Sequence, residues 1–415
     1  MTNAHTSATV DLNFDVVIVG AGLVGASMAC SLATHPDCEG LSIALIEAAE
    51  PSEPYSGDNF DPRVVALTHA SRELLESVGI WGDVKNHRVC AYTDMHVWDA
   101  DGTGQIHFDA REVQQDCLGH IVENSIITSL LWQRMQQLDR ITLLHPAKLD
   151  KIYHNASAGN CTIALEDGRN VNSRLLVAAD GANSRVRSLL SMETREWDYG
   201  HNAIVCTVKT ERPHQFTAWQ RFLETGPLAF LPMQVGNVAE FDEHHSSIVW
   251  SAKTDVADYL MGLPDEAFKE KLGEAFEGKL GTIEHVSKRF SFPLRQRHAK
   301  DYILPGVALA GDAAHTIHPL AGQGVNLGFL DVMALRDEIA RACRRSLPAD
   351  EPSILKRYQR NRKWHNLAMM SVMEGFKTLF GSDELPLRWM RNEGMRRLNN
   401  LGVLKNLIVK QAMGL

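Results

Sequence analysis

The chain has 415 residues, of which 44% are hydrophobic, so it can bury one large core or two joined cores. Its formal net charge of −9 disfavours a nucleic-acid partner for the body of the protein. Its seven cysteines are scattered and form no Cys-x-x-Cys pair, which argues against a disulfide framework or a zinc site and suits a reducing cytosol.

The first predicted elements are an apolar strand, a glycine-rich turn and an Ala/Leu/Met-rich helix. The strand covers residues 15–19, and the next strand, residues 42–46, ends at Glu47. This order is typical of dinucleotide-binding units, in which glycines let the backbone turn close to a pyrophosphate and an acidic side chain binds the adenosine ribose. An accidental glycine turn is the alternative, which the flanking elements disfavour. The residues assigned to the pyrophosphate and the ribose are Gly20, Gly22, Gly25 and Glu47.

The first 33 residues also bear on secretion and membrane insertion. Residues 1–10 contain no Lys or Arg and no apolar core, so we expect no secretory signal and a cytoplasmic protein. Residues 16–33 are uncharged and long enough to resemble a membrane span. Because they contain the glycine turn, we predict a buried strand, turn and helix there, and no transmembrane helix in the chain.

A second motif follows the apolar run of residues 175–179, which we predict to be a strand. The strand ends in Asp180-Gly181, and Ser184 and Arg187 follow, one helical turn apart. An ordinary strand, turn and capped helix start is the structural alternative for this pattern.

Between residues 197 and 295 the pattern changes to short apolar runs separated by polar turns. The runs at residues 203–208, 228–233 and 247–252 predict an antiparallel sheet, interrupted by one helix over residues 265–277. We expect this sheet to shape a substrate pocket. Candidate residues for its wall are Pro227, Phe230 and Pro232.

The most specific motif covers residues 311–328. An apolar strand over residues 306–310 leads into Gly311-Asp312 and a glycine-rich turn, and an apolar-patterned helix follows over residues 327–342. Asp312 is placed where a carboxylate could accept a ribose or ribitol hydroxyl. The glycine-rich turn can bring bare N–H groups against a flat ring.

Charge is distributed unevenly along the chain. Residues 352–415 contain twelve Lys or Arg and four Asp or Glu, so this segment carries +8 and the remainder carries −17. Trp, Met, Leu and Phe interleave with these cations, as in a basic amphipathic helix that lies on an anionic membrane surface or docks a partner. A solvated face on helices packed against the body is the alternative.

These motifs, in this order and at these distances, resemble those of the class A flavoprotein aromatic hydroxylases. Within that class the sequence resembles the hydroxylases of ubiquinone biosynthesis, most of all the bacterial enzymes that act on 2-octaprenylphenol. Further segments carry the resemblance, which spans nearly the whole chain. They are Asp61–Leu67, Leu118–Ser125, Trp197–Tyr199 and Gln411–Leu415.

The resemblance implies an α/β fold with a Rossmann-like FAD-binding domain of the para-hydroxybenzoate hydroxylase type, discontinuous in sequence. An antiparallel β-sheet domain for the substrate is inserted into it, and a helical tail follows. The implied segments are residues 1–88, 112–192 and 290–351 for the FAD-binding domain, residues 89–111 and 193–289 for the sheet domain, and residues 352–415 for the basic amphipathic tail.

The resemblance also assigns parts of FAD to residues. The ribitol falls to Gly311 and Asp312, and the isoalloxazine edge falls to backbone amides of the glycine-rich turn that follows. The residues implied at the flavin face are Pro319, Gly322, Gln323, Gly324, Val325 and Asn326. Those implied to contact the cofactor elsewhere are Arg63, Glu123, Asn124, Asp180 and Arg187.

Two questions stay open at the level of residues. No residue can be assigned to deprotonation of the substrate, although Tyr199 and His201 of the predicted sheet are candidates. His315 and His318 have the spacing of paired metal ligands. Because the glycine turn accounts for this segment and a third ligand is missing, we predict no metal site.

The implied reaction is hydroxylation of the aromatic ring of a polyprenylated phenol in ubiquinone biosynthesis by an FAD-dependent monooxygenase. Reduced FAD would pass electrons to molecular oxygen and hold a C4a-hydroperoxide that the electron-rich ring attacks. NAD(P)H or another reductant would donate the electrons. The resemblance favours ring carbon C5, with the tail peripheral at the inner membrane surface or in a biosynthetic complex. The alternatives are a sister hydroxylase for another ring position, an FAD-dependent reductase and a non-catalytic flavoprotein subunit.

Overall fold

The computed structural model describes residues 11–51, 53–57, 59–100, 104–235, 242–316 and 324–380, with side chains described up to Ser371. The expected flavin-face residues Pro319, Gly322 and Gln323 lie outside these ranges, as do His318 and most of the predicted tail.

The strands β1 to β20 are, in chain order, Asp11–Val19, Ile43–Ile46, Val64–Leu67, Val89–Tyr92, Asp94–Asp99, Gln105–Asp109, Gly119–Glu123, Ile141–Leu144, Leu149–Asn155, Asn160–Leu165, Asn170–Ala178, Thr194–Thr210, Thr217–Leu223, Gly226–Val235, Asp242–Lys253, Ile283–Val286, Phe290–Ala299, Ile303–Leu304, Val307–Leu309 and His315–Thr316. The helices α1 to α9 are Leu23–Thr34, His69–Ser77, Trp81–Val84, Asn124–Gln136, Arg185–Leu189, Thr254–Gly262, Asp265–Ala275, Gly324–Arg344 and Pro352–Phe380.

The first unit is built on a sheet whose central order is β18-β19-β11-β1-β2-β8. Within it β19, β11, β1, β2 and β8 run parallel, while β9 and β10 extend β11 as antiparallel neighbours. Parallel strands are covered on both faces and therefore consist of continuous apolar runs; residues 16–19 and 43–46 are accordingly buried. Helix α1 packs against both α4 and α8. The predicted Rossmann-like unit is confirmed.

The second unit is a mostly antiparallel sheet with the order β20-β17-β12-β15-β14-β13-β5-β6, and β16 pairs beside β12. Alternate residues of its strands point to opposite faces. One face, here called the outer face, buries Ile204, Phe230 and Trp250 against α6 and α7. The other, the inner face, packs against the small sheet β3-β7-β4. Buried inner-face residues are Ala203, Val205, Ala218, Ala229, Leu231, Met233 and Leu294.

Two segments differ from the sequence-based division of the chain. Strand β17 pairs with β12 along its whole length, so residues 290–299 extend the substrate sheet although the predicted boundary places them in the FAD-binding unit. Leu355 and Tyr358 of α9 belong to the core of the FAD-binding unit. The predicted tail therefore begins with residues that this core requires. No helix within the described ranges is both long and apolar enough to cross a membrane.

Candidate active site

The first glycine motif connects β1 to α1. Gly20 has φ +100°, and a Cβ there would lie 2.6 Å from the carbonyl oxygen of Ala179. A Cβ on Gly25 would lie 1.9 Å from the carbonyl oxygen of Gly20. Both positions require glycine so that α1 can begin close to the ends of β1 and β11. Gly22 is the N-cap of α1, lacks a side-chain cap and has nothing within 4 Å of its Cβ position, as a turn that meets a pyrophosphate requires.

Glu47 lies beside this turn, just after β2. Its Oε2 accepts a hydrogen bond from the Ala21 amide at 2.6 Å, and its Oε1 accepts one from the Ala49 amide at 2.9 Å. These residues line a cleft of about 190 Å³ together with Gly22 and Trp132. The arrangement follows from the topology, because the carboxyl ends of the adjacent parallel strands β1 and β2 meet at one edge of the sheet.

The second motif is tied to the third through Arg187. Asp180 accepts hydrogen bonds from two backbone amides at the start of α5, at 2.7 and 3.1 Å, and its Oδ1 is buried without a partner among the described residues. Arg187 is buried and donates to the carbonyl oxygens of Ala313 at 2.8 Å and Ala182 at 2.7 Å. Its guanidinium thus holds two turns together. Contact of either residue with the cofactor stays a prediction.

The third motif packs onto the helix of the first. Gly311 has φ +59°, and a Cβ there would lie 2.8 Å from Val24 Cγ2. A Cβ on Gly328 of α8 would lie 2.6 Å from the same methyl group. The two glycines therefore allow the turn after β19 and the start of α8 to approach α1. This contact brings the first and third motifs to one site, as their predicted roles require.

Asp312 presents a carboxylate that hydrogen-bonds to no described residue. Its side chain is accessible to solvent, yet the surrounding protein desolvates it enough to raise its pKa, an effect that His315 opposes. A group that is both accessible and enclosed lines a concave surface. This is the position expected for an acceptor of ribitol hydroxyls.

The side chain of Asn326, in the first turn of α8, is occupied by protein. Its Nδ2 donates to the carbonyl oxygen of Ala66 at 2.8 Å, and its Oδ1 accepts from Ser71 Oγ at 2.6 Å. Asn326 thus joins α8 to β3 and α2, and only its backbone is left for the predicted contact with the isoalloxazine edge. Gly324 and Val325 precede it, and a Cβ on Gly324 would meet nothing within 4 Å.

The loop before β3 is held by a buried charge network centred on Glu123. The Glu123 carboxylate lies 2.9 Å from Arg88 Nε and accepts a hydrogen bond from the Asp61 amide at 2.7 Å. Burial raises the pKa of Glu123, although the Asp61 amide and Arg88 act in the opposite direction. Because Glu123 is fully buried, its side chain supports the site without lining it.

Arg63 and Asn124 flank that network with polar groups that bind no described partner. The Arg63 guanidinium is exposed and forms no ion pair or hydrogen bond with the described residues. The Asn124 side-chain oxygen is buried, and no residue within the described ranges donates a hydrogen bond to it. Within the described structure, both side chains are therefore free to contact the cofactor, as predicted.

These features fit FAD. The turn at Gly22 is open, the Asp312 carboxylate is unpaired among the described residues, and the Asn124 oxygen needs a donor. Gly22 and Asp312 lie in motifs that the fold brings together at the carboxyl ends of β1 and β19, where an open α/β sheet binds its ligand, and Asn124 follows β7.

We expect the inner face of the substrate sheet to form the wall of the site opposite the third motif. Strand β3, to which Asn326 is hydrogen-bonded, packs onto that face, and β20 of the third motif pairs with β17. The expectation that Phe230 belongs to this wall is wrong. Its ring stacks on Phe276 at 3.7 Å in the outer-face core, because the alternation of β14 sends Ala229 and Leu231 inward instead. Pro232 shares the parity of Phe230.

Tyr199 and His201 lie on β12. Tyr199 packs with the inner-face residues Ala203 and Val205, and its hydroxyl is hydrogen-bonded to Gln296. His201 Nδ1 lies 2.6 Å from the carbonyl oxygen of Tyr199. The inner face thus carries a tyrosine hydroxyl among apolar side chains, while its action on the substrate stays a prediction.

His315 is engaged by protein: its Nε2 lies 2.6 Å from Asp331 Oδ2. Throughout the described parts of the chain, no group of three or more His, Cys, Asp or Glu residues has the arrangement of a metal site.

Comparisons with known proteins agree with this architecture. Residues 13–372 match the family model described as FAD binding domain. The chain is 35% identical over 401 residues to 3-demethoxyubiquinol 3-hydroxylase of Escherichia coli, covering 97% of this chain and 98% of that protein. It is 36% identical over 400 residues to the ubiquinone hydroxylase UbiL of Rhodospirillum rubrum, covering 96% and 89%.

Among solved structures, PqsL from Pseudomonas aeruginosa, described as a probable FAD-dependent monooxygenase, superposes with a TM-score of 0.74 at 22% identity, covering 93% of this chain and 100% of that one. Fold and motifs together define a flavin-dependent aromatic monooxygenase that uses FAD, with NAD(P)H and molecular oxygen as the usual co-substrates of the class. The chain belongs to the ubiquinone-biosynthesis hydroxylases of the FAD-binding family.

Sequence reasoning missed several residues that build the site. Arg88 and Asp61 hold the loop before β3, and Asp331 and Arg362 hold the third motif. For Asp331 a signal existed, since a single acid interrupts the apolar run Gly328-Phe329-Leu330-Asp331-Val332 of a helix. A charge on the buried face of a helix requires a buried partner.

Proposed function

We propose that this protein hydroxylates the aromatic ring of a polyprenylated phenol during ubiquinone biosynthesis. The observation that carries the proposal is that two surfaces of different chemistry lie next to each other in the fold. One is the third glycine motif with its unpaired Asp312 carboxylate, and the other is the apolar inner face of the substrate sheet. Bound FAD supplies the activation of molecular oxygen that no side chain can provide.

The protein's own contribution is to orient the ring and exclude water. On the inner face, Ala229 and Leu231 are buried against the small sheet, whereas Tyr199 is only half-buried beside Ala203 and Val205, so we place the flat ring and its prenyl chain at this end of the face. A dry and shaped pocket keeps the reacting carbon close to the cofactor and limits uncoupled oxidation. Tyr199 is the candidate to hydrogen-bond to the phenol oxygen from this face.

Two ring positions compete. The overall resemblance favours the carbon that becomes C5, which corresponds to the first ring hydroxylation. The name of the Escherichia coli relative, which assigns it position 3 of a demethoxyubiquinol, favours a later step instead. Mass spectrometry of quinones from cells that lack this protein, before and after its restoration, separates the two. A polyprenylphenol without the first ring oxygen supports C5, whereas an intermediate that already carries ring oxygens moves the reaction to another position.

The alternative activities make different predictions. A reductase on the same scaffold would consume reductant without incorporating isotopic oxygen into the product. A scaffolding subunit would support quinone synthesis even as Gly324→Trp, a change that places a large ring at the start of α8, where no described atom lies within 4 Å of the Cβ position, and should block the flavin face. We expect isotopic oxygen in the product and loss of synthesis in the variant. An unchanged quinone profile in deleted cells that hold no redundant hydroxylase would refute the assignment to ubiquinone.

Peripheral membrane contact is the second part of the proposal. The exposed face of α9 presents Lys356 and Arg360 together with Trp364, which is 77% exposed, and Leu367. Cations interleaved with an exposed tryptophan are typical of helices that lie at an anionic membrane surface. A prenylated substrate would give such contact a purpose, and membership of a biosynthetic complex would serve the same purpose.

Because α9 begins in the core, the test is a substitution and not a truncation at residue 352. Trp364→Ser should weaken sedimentation with vesicles of anionic phospholipid. Tyr259→Ser, which changes another exposed aromatic residue on the outer-face helix α6, is the matched control. Equal vesicle binding by both variants and the unaltered protein would exclude a role for this face.

A further inference from the structure

Asp331 of α8 is a fully buried carboxylate that receives hydrogen bonds from three residues in two segments of the chain. Its Oδ2 accepts from the Gly311 amide at 2.9 Å and from His315 Nε2 at 2.6 Å, and its Oδ1 accepts from Arg362 Nε at 2.6 Å. Burial by itself would raise the pKa of Asp331, but His315 and Arg362 bring it below its usual value. The carboxylate is therefore ionised and fully engaged.

Two of these donors lie on either side of Asp312 in the chain. Gly311 precedes Asp312 directly, and His315 is the first residue of β20, three positions later. The Asp331 carboxylate therefore fixes both ends of the short segment that carries Asp312. The Asp312 carboxylate has no hydrogen-bond partner among the described residues, so its direction follows from the backbone of this segment, which Arg187 also holds through the carbonyl oxygen of Ala313.

The third donor comes from α9. Arg362 is buried and also donates to Asn366 Oδ1 at 2.9 Å, and Asn366 Nδ2 donates to the Tyr302 hydroxyl at 3.2 Å. That hydroxyl lies 3.0 Å from His298 Nε2 of the substrate sheet. From Arg362, a buried network thus runs in one direction through Asp331 to the third motif and in the other through Asn366 and Tyr302 to β17.

General stability does not require such a network. Removing two charges from water is costly, and a buried ion pair can often be replaced by apolar side chains of similar volume without loss of stability. What apolar side chains cannot replace is an acceptor for the Gly311 amide and for His315. The geometry of the turn therefore depends on the carboxylate, while the fold depends mainly on the apolar core around it.

We propose that Asp331 and Arg362 are positioning residues of the FAD site, through which docking of α9 and binding of FAD are coupled. Arg362 holds the buried Asp331 carboxylate, and the carboxylate holds the turn that aims Asp312 at the cofactor. Coupling of this kind is reciprocal, so FAD stabilises the docked α9 by the same factor by which docked α9 favours FAD. The proposal rests on the assignment of Asp312 to the cofactor.

The chain provides a matched control between the same two helices. Arg357 Nε of α9 lies 2.8 Å from Glu338 Oε2 of α8, and Glu338 is buried, as Asp331 is. Neither residue hydrogen-bonds to the turn that carries Asp312. A variant of Arg357 therefore weakens the contact between α8 and α9 without removing the acceptor of that turn.

The experiment measures the dissociation constant of FAD by flavin fluorescence for four variants. Arg362→Met should raise it at least tenfold, and Arg357→Met should leave it within about twofold. The double variant Asp331→Leu, Arg362→Met removes both charges together but leaves the Gly311 amide and His315 without an acceptor, so it should fold with a lowered unfolding temperature and bind FAD at least tenfold more weakly. This variant also serves if Arg362→Met does not fold. Equal weakening by Arg357→Met and Arg362→Met, or undiminished FAD affinity in the double variant, would overturn the proposal.

The fourth variant separates the proposal from its premise. Asp312→Ala should weaken FAD binding at least as much as Arg362→Met; if it does not, the assignment of Asp312 fails, whatever the other variants show. Hydrogen exchange supplies the reciprocal measurement in the unaltered holoenzyme. FAD should slow amide exchange in residues 354–371, and this protection should disappear in Arg362→Met. Exchange in α9 that does not respond to FAD in the unaltered protein would contradict the coupling.

Discussion

The two ends of the cofactor site are held in place by different means. At the predicted adenosine end, the turn from Gly20 to Gly25 is fixed by close backbone packing, where added Cβ atoms would strike carbonyl oxygens, and by the adjacent Glu47, which accepts a hydrogen bond from the Ala21 amide. At the flavin end, the turn after Gly311 is fixed by side chains from α8 and α9, which lie far from it in sequence. Local sequence therefore specifies the first end, whereas the second depends on long-range contacts that must form before the turn acquires its shape.

The largest expected effect breaks the adenosine end. In Gly25→Ala the new methyl group would lie 1.9 Å from a carbonyl oxygen of the backbone, which has no flexible side chain to move aside. We expect a loss of about 3–5 kcal/mol in the free energy of unfolding, together with loss of bound FAD. Urea denaturation and flavin absorbance measure both quantities.

Gly22→Ala is the control for that change, because its Cβ position is open. It should unfold within about 0.5 kcal/mol of the unaltered protein while binding FAD more weakly, since the methyl group enters the space predicted for the pyrophosphate. Similar stability losses in the two variants would show that backbone packing does not distinguish these glycines.

The corresponding change at the flavin end should be milder. Gly311→Ala places a Cβ 2.8 Å from a methyl group of Val24, a side chain that can shift, but retains the strain of φ +59°. We expect a loss of about 2–3 kcal/mol in unfolding free energy and a protein that still folds. Urea denaturation of Gly25→Ala and Gly311→Ala under the same conditions tests this comparison directly. A larger loss of unfolding free energy in Gly311→Ala would contradict it.

The sequence predicted the strand, turn and helix around residues 20–25 well for the same physical reason, while the role of this turn at the adenosine end stays a prediction. The glycine spacing, the apolar strands and Glu47 act within one strand-turn-helix unit and its neighbour, so pattern and geometry coincide. At the flavin end, the pattern identified Gly311 and Asp312 but not the buried Asp331–Arg362 pair, because only the tertiary fold brings α9 against α8. The misplaced Phe230 has another cause. Every residue of β14 from Leu228 to Met233 is apolar. The sequence therefore shows no alternation of apolar and polar residues that would reveal which side chains face inward.

The buried imidazole of His298, which belongs to the network at the flavin end, makes stability depend on pH. Burial lowers the pKa of His298 from 6.5 to about 4, and His315 adds to the effect. A native pKa below the unfolded value means that the unfolded state takes up the proton first as pH falls. His298 therefore contributes stability that is complete above pH 6.5 and is lost as pH falls toward 4.

The measurement is the free energy of unfolding as a function of pH for His298→Gln. Between about pH 6 and 4.5 the variant should lose less stability per pH unit than the unaltered protein, by about 1.4 kcal/mol per unit, or one proton. His120, whose pKa burial also lowers to about 4, lies in the small sheet and not in this network. His120→Gln should change the slope equally, while only His298→Gln should also affect FAD affinity. A slope that does not change in His298→Gln would contradict the neutral state of that imidazole.

The smallest expected effect comes from Tyr358, which joins α9 to the strand that precedes the third motif. Its buried hydroxyl donates to the carbonyl oxygen of Leu309 at 2.7 Å. Tyr358→Phe removes one neutral hydrogen bond and leaves the ring in the core, so we expect a loss of about 1 kcal/mol in unfolding free energy. The bond meets β19 before the turn begins, whereas Arg362 acts on the turn itself through Asp331. FAD affinity should therefore stay within about twofold in Tyr358→Phe. If the FAD affinity of Tyr358→Phe falls as far as that of Arg362→Met, any weakening of the α9 contacts reduces FAD binding. The Asp331 carboxylate would then have no specific positioning role.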